Sequence, residues 1–398
     1  MKKINHLISA LIMAAMTAGF ASCSSSDEPS SVSDNTPKEL TLTIMSTKPV
    51  TKAALNSINA DDEKTINRIT VGIFNSDGSK VRTIQEFSSK TTNSDEELAG
   101  TNKFFNKTNG SATVKVVTTQ MATGDLVAVA INAPANKFNG VSTLSGFNAI
   151  LLDADNAIAR DVSGVIQNDP QSNNIPMYGE ANANLDAGTN YKADVNVYHI
   201  TAKVTLESLS VKFASDGPYS AATFTPEEIF LYNVPDGVKF KNINQCSGTF
   251  ITGQSSEIGY KKYLTTGTIS PATALHGSDV MSGKYYFYTT PNDDTDNKTK
   301  LVIKGQFDAD GGGSTASAET VYYPVKLNYT VKEDGTTETP SGGSSTAYVV
   351  SPNKNYVCTV VIKTKGASTP SADIDPTIAT IDITVKDWDV VSQTTVFQ

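Results

Sequence analysis

Along most of this chain, apolar residues alternate with polar ones in short runs closed by turn residues, which is the signature of half-buried strands. Leu40-Thr-Leu-Thr-Ile44-Met45 is the first such run. Ile69-Thr-Val-Gly-Ile-Phe74 follows and is closed by the turn Asn75-Ser-Asp-Gly78. Ser111-Ala-Thr-Val-Lys-Val-Val117 and Asp125-Leu-Val-Ala-Val-Ala-Ile-Asn132 predict two more strands. The second is apolar on both parities, which predicts a central position in a sheet. Asp194 to Leu206 is the longest strand pattern and lies near the midpoint, where one sheet ends and another begins. Further strands are predicted at Glu228–Asn233, Lys284–Thr289, Lys300–Phe307, Thr320–Val325, Asn355–Thr364 and Ala379–Lys386. Asp308-Ala-Asp-Gly-Gly-Gly, Glu333-Asp-Gly335 and Ser341-Gly-Gly punctuate them. Only Asn139–Gly164 shows a partly helical apolar spacing, through Phe147, Ile150, Leu151, Ala154 and Ile158. Residues 389–398 form a strand-like tail. The prediction is an all-β fold of tandem β-sandwich-like domains.

The leading segment breaks this pattern. Lys2 and Lys3 precede an apolar run from Leu7 to Met16, too short to cross a bilayer and built like a secretory signal. Its ending, Ala21-Ser22-Cys23, resembles a bacterial lipoprotein cleavage box in which the cysteine becomes the lipidated first residue. Residues 24–38 are rich in Ser, Asp and Pro and read as a tether. Beyond the Leu40–Met45 strand stands a basic, protease-accessible site, Thr51-Lys52, followed by Ala53. A strand that can be cut from its own domain leaves an open groove, which is a device for assembly.

Composition narrows the function. The 398 residues include 38% hydrophobic positions, enough for two domain cores, and the length favours two or three domains. A net charge of −9 without a dense Lys/Arg stripe excludes a nucleic-acid binder. No second apolar run approaches membrane-spanning length, so membrane contact is expected through lipid alone. Cys23 belongs to the signal boundary, and Cys246 and Cys358 remain, either to pair with each other or to stay reduced, Cys358 as a small buried hydrophobe. His199 and His276 are far apart, and His199 falls inside a strand pattern, so no metal pair or catalytic base is read. Asp308–Gly311 and Asn292–Asp296 lack the spaced acids and closing Glu of a calcium loop and read as turns. No nucleophile elbow or phosphate loop is present, so no enzyme and no cofactor is expected. Trp388 reads as a core or interdomain anchor.

The order of these segments resembles the fimbrillin family, the type V pilins of the Bacteroides group, over nearly the whole chain. The resemblance rests on Cys23, the strand before Lys52, Ile69–Asn75, Val127-Ala-Val-Ala-Ile-Asn-Ala-Pro134 and Val197-Tyr-His-Ile-Thr-Ala-Lys-Val204. It continues through Tyr285-Tyr-Phe-Tyr-Thr-Thr-Pro-Asn292. Its most specific part is Asn355–Lys363, a Pro-containing loop, then Ile381-Asp-Ile-Thr-Val-Lys-Asp-Trp388.

The resemblance implies two transthyretin-like β-sandwich domains behind a signal peptide (1–22) and a lipidated propeptide with a removable first strand (23–52). The domains would span 53–196 and 197–388, with a candidate donor strand at 389–398. It implies a lipoprotein precursor at the outer membrane, cut by a trypsin-like protease and polymerised by strand exchange with copies of itself and other fimbrial subunits. The removable strand presents Leu40, Leu42 and Ile44 inward, with Thr41 and Thr43 outward. Donor candidates are Val390, Val391, Val396 and Phe397, which occupy both parities and leave the inserted face open. The best-known family members are cut after arginine, whereas the aligned position here is Lys52. Lys48, before a proline, and Arg68, inside the next strand, are weaker cut sites. The rival readings are a fimbrial tip or anchor adhesin and a surface glycan-binding lipoprotein.

Overall fold

The computed structural model describes residues 36–46, 62–89, 104–105, 110–188, 190–241, 248–312, 317–331, 336–340, 342–373, 379–385 and 390–397, the last two stretches by their backbone. Strands hold 45% of the chain and helices 7%, so the fold is all-β as its alternation predicts. The first half carries β1 (Lys38–Ser46), β2 (Arg68–Phe74), β3 (Val81–Ser89), β4 (Phe104–Phe105), β5 (Ser111–Thr118) and β6 (Leu126–Ile131). It continues with β7 (Leu151–Leu152), β8 (Met177–Asn182), β9 (Asn184–Ala187) and β10 (Asn190–His199). The second half opens with β11 (Ala202–Val211), β12 (Thr223–Tyr232), β13 (Val234–Pro235), β14 (Val238–Lys239) and β15 (Phe250–Ile251). Then come β16 (Tyr285–Thr289), β17 (Lys300–Asp308), β18 (Glu319–Lys326), β19 (Thr330–Val331), β20 (Thr337–Glu338) and β21 (Asn355–Ile362). β22 (Ala379–Val385) and β23 (Val390–Phe397) close the chain.

Most of the first half joins one nine-stranded sheet in the order β4-β3-β2-β6-β8-β10-β1-β5, with β9 beside β10. The second half builds a seven-stranded sheet, β16-β11-β21-β22-β23-β19-β20, and a three-stranded one, β12-β17-β18. β6 is central, between β2 and β8, as its two apolar parities predict. One parity (Val127, Val129, Ile131) packs with Leu40, Leu42, Ile44, Val71 and Val195. The other (Ala128, Ala130) joins a larger cluster that reaches Phe138, Phe147, Phe240 and the second-half core. The described residues from Pro37 onward belong to one compact unit.

Two predictions need correction. The single long strand expected over Asp194–Leu206 is two strands, β10 and β11, in different sheets. The break falls where His199, Ile200, Thr201 and Ala202 are all buried, so the strict alternation of β10 ends as the chain passes from one core to the next. The helical spacing over Asn139–Gly164 yields only a short helix α1 (Leu144–Asn148), capped by the Thr143 hydroxyl, and one π-helical turn at Asp155–Ala159. β3 and β8 carry no clear alternation of apolar residues and are unread in the sequence.

Candidate functional site

β1 is an interior strand. It runs parallel to β10, from Leu40 opposite Tyr191 to Ser46 opposite Val197. On its other side it runs antiparallel to β5, from Lys38 opposite Thr118 to Met45 opposite Ser111. Leu40, Leu42 and Ile44 are each 0% exposed, while Thr41 and Thr43 are half-buried, so the predicted faces are those observed. Both neighbours alternate in phase: Ala112, Val114 and Val116 on β5, and Ala193, Val195 and Val197 on β10, are buried in the same cluster. Each side chain on a strand shares its face with its direct cross-strand neighbours, so the three rows interlock.

The outer face of this three-strand row is mostly polar, with Met45 and Val117 exposed on it. Thr41 lies between Lys115 of β5 and Lys192 of β10. Lys115 Nζ is 2.9 Å from Glu39 Oε1, and Lys192 Nζ is 3.0 Å from Asp186 Oδ1. At one end of β1, Lys38 Nζ donates to the Met121 carbonyl at 3.2 Å. At the other end, the Ser46 amide donates to the Gly110 carbonyl at 2.8 Å.

Of the other residues singled out in the sequence, Cys23, Lys52, Ala53, Cys246 and Trp388 lie outside the described residues. The tail positions Val390, Val391, Val396 and Phe397 lie on β23, in a different sheet from β1. β23 pairs antiparallel with β22 over Val391–Phe397, parallel with β21 at both ends and parallel with β19 at Thr395. The middle of that same β21 edge, Cys358–Val360, pairs instead with β22. Two strands therefore share one edge. Cys358 is buried and reduced, and burial pushes its thiol far above the usual range.

Sequence reasoning missed a buried polar knot beside this sheet. Glu63, in the 3-10 turn Asp62–Lys64, is 5% exposed. Its Oε1 accepts from Lys203 Nζ and from the Tyr288 hydroxyl, each at 2.6 Å. Its carbonyl oxygen lies 2.7 Å from His199 Nε2, which must therefore carry the proton it donates. Complete burial holds the His199 pKa below its ordinary value and pushes the Tyr288 hydroxyl up. The knot fastens the first described residues after β1 to β11 and β16. Nothing in the run Asp61-Asp-Glu-Lys64 distinguishes it from a solvated surface turn.

A second cluster holds the chain just ahead of β22. Lys300 and Lys326 Nζ lie 3.1 and 3.3 Å from Asp373 Oδ1, and Lys298 Nζ lies 3.3 Å from its Oδ2. Partial burial alone would raise the Asp373 carboxyl, but the Lys300 hydrogen bond and the three ammonium charges outweigh it and hold the pKa at about 2.

No family model matches the sequence, and no curated protein matches it. Solved structures do share its architecture. A fimbrilin from Porphyromonas gingivalis W83 superposes with a TM-score of 0.55 at 14% identity, over 90% of this chain and 97% of that one. A candidate cell adhesion protein from Parabacteroides distasonis ATCC 8503 gives 0.56 at 15% identity, over 83% and 91%. Another from Bacteroides eggerthii DSM 20697 gives 0.53 at 18% identity, over 90% and 96%. The chain thus has the fimbrillin fold across nine-tenths of its length.

Proposed function

We propose that this chain is a structural subunit of a surface fimbrium, built of two tandem transthyretin-like sandwiches, that polymerises by protease-triggered strand exchange and supports adhesion. In this reading the precursor is a lipoprotein anchored through Cys23 at the outer membrane. A trypsin-like protease cuts between Lys52 and Ala53, β1 leaves, and the tail of a neighbouring copy fills its place. The observation that carries the reading is β1 itself: an interior strand whose Leu40, Leu42 and Ile44 are fully buried and which precedes the basic site at Lys52 in the chain.

Two physical points support the exchange. Removing β1 strips the ladder from β5 and β10 at once and exposes an apolar row, and bare edges of this kind recruit strands. The tail is also available. β21 offers one edge to two strands, and β22 places Ile381 and Ile383 in register with Val360 and Cys358, both buried. When β23 leaves its pairings with β22, β21 and β19, β22 remains on that edge at Cys358–Val360. Residues 389–398 reach roughly 30 Å when extended. Eight ladder bonds at about 1 kcal/mol each, with about 1.5–3 kcal/mol per buried apolar side chain, are largely offset by the ordering of the tail.

The test is direct. Purified precursor treated with a trypsin-like protease should give SDS-resistant ladders, and a truncation lacking 389–398 should be cut normally yet stay monomeric. Equal laddering by both forms would remove the tail from the mechanism.

A further inference from the structure

The two walls beside β1 are held by different means. β10 is tied at both ends, by β9 at Asn190–Lys192 and by β8 at Tyr198 and His199. His199 is further fixed through its bond to the Glu63 carbonyl. β8 also backs the middle of β10: a Cβ on Gly179 would stand 2.2 Å from the Asn196 carbonyl. β5 has a different footing. It ends the nine-stranded sheet, and among the described residues β1 is the one strand in its ladder. Gly110, immediately before β5, takes its backbone bond from Ser46 of β1 as well. Among the described contacts, the Gln85 side chain, donating to the Val117 carbonyl at 2.8 Å, and the packing of Ala112, Val114 and Val116 also tie β5 to the rest. These are small side chains, and their direct cross-strand neighbours belong to β1.

We infer that the surface which recognises an incoming strand is the edge of β10 at Tyr191–Val197, and that β5 detaches when β1 leaves and closes again only over the newcomer. The inference rests on the strand removal proposed above, and the occupant is a strand from a second copy of this chain. A ladder strand with no partner on either side must hydrate its backbone groups, so the free energy that held Ser111–Thr118 in place goes with β1. β10 keeps its fastenings and stays. The acceptor is then one fixed edge with a movable cover. A newcomer seated in the direction of β1 runs parallel to β10, and β5 folds back antiparallel to it.

Hydrogen exchange read by mass spectrometry tests this on the full-length chain in three states. These are the intact chain, the chain cut within 47–52 with its leading piece washed out at low urea, and that cut chain with synthetic peptide 37–46 added back. Loss of β1 should speed exchange at 111–118 by about 100-fold or more, against less than about tenfold at the fastened ends of β10, 190–192 and 198–199, and the peptide should restore both. Gln85→Ala should speed 111–118 further in the cut chain and leave the intact chain unchanged. Protection of 111–118 within about threefold of the intact chain after β1 is gone would overturn the inference, as would equal loosening of both walls. Ladder formation by the same samples separates this from the assembly reading. A loosened β5 without ladders sinks assembly and leaves the inference standing; ladders with β5 still protected do the reverse.

Discussion

Glu63 shows how a residue that looks like surface can become the fastening of a fold. Its carboxylate meets Lys203 and Tyr288, partners 140 and 225 positions away, so no local pattern reveals it. Removing one member of a buried ion pair leaves the other uncompensated, so Glu63→Gln should cost about 3 kcal/mol in urea unfolding. Adding Lys203→Met to that variant should recover part of the loss; no recovery would mean that the charge pair is not the source. His199 brings a pH dependence with a definite sign. Its folded pKa lies below the ordinary 6.5, because burial penalises the charged ring. As pH falls through 6.5 the unfolded chain takes up a proton that the folded chain refuses, so stability is full above that pH and declines below it. His199→Gln should flatten the stability profile between pH 7 and pH 5, measured by denaturation midpoints at each pH. An unchanged slope would assign the acid sensitivity to other groups.

Among the elements, β1 allows a prediction with two opposite halves. Leu42 is sealed in the precursor, so Leu42→Ala should lower precursor stability by about 2–5 kcal/mol. If β1 is discarded on maturation, the same substitution should leave the heat resistance of the assembled ladders unchanged. Matched thermal melts of precursor and ladder check both halves, and a weakened ladder would show that β1 stays in place. This strand was legible because Leu40, Leu42 and Ile44 keep a period of two against threonines, and β10 and β5 were legible for the same reason. β3 was not, because Val81-Arg-Thr-Ile-Gln-Glu-Phe87 is half-buried along most of its length and never needs an apolar parity. The join between β10 and β11 was hidden by Ile200 and Thr201, which continue a strand-like composition through a change of sheet. The inward face of β1 could thus be read from residues alone, whereas its two neighbours, one parallel and one antiparallel, are set by the path of the whole chain.

In the whole molecule, the slot and the tail lie in different sheets, and the middle of the chain connects them. β14 pairs with β7, Phe138 and Phe240 meet with ring centroids 5.3 Å apart, and Lys241 Nζ reaches Glu180 at 2.5 Å. Lys261 Nζ and the Tyr263 hydroxyl both hold Asp155, at 2.9 and 2.7 Å. A pull applied through an inserted strand at one end and a donated tail at the other would pass through these contacts. Asp373 stands at the root of the tail segment, and its depressed pKa stabilises the fold above about pH 4 and is lost as pH falls towards 2. Because Asp373 is half exposed, solvent screening limits its share to about 1 kcal/mol. The charges flanking the slot that remain once β1 has gone, Lys115 and the Lys192–Asp186 pair, are likewise largely exposed. Persistence of the polymer should therefore come from the ladder and the apolar row, which must unzip as a unit, and not from ion pairs. Raising sodium chloride from 0.05 to 1 M should change the rate at which ladders release monomer by less than about threefold. Each 10 °C rise should speed release roughly 3–6-fold, as for any cooperative unfolding step. Time courses on gels measure both; ladders that dissolve in high salt at constant temperature would place the holding energy in surface charge and leave the strand slot without its assigned role.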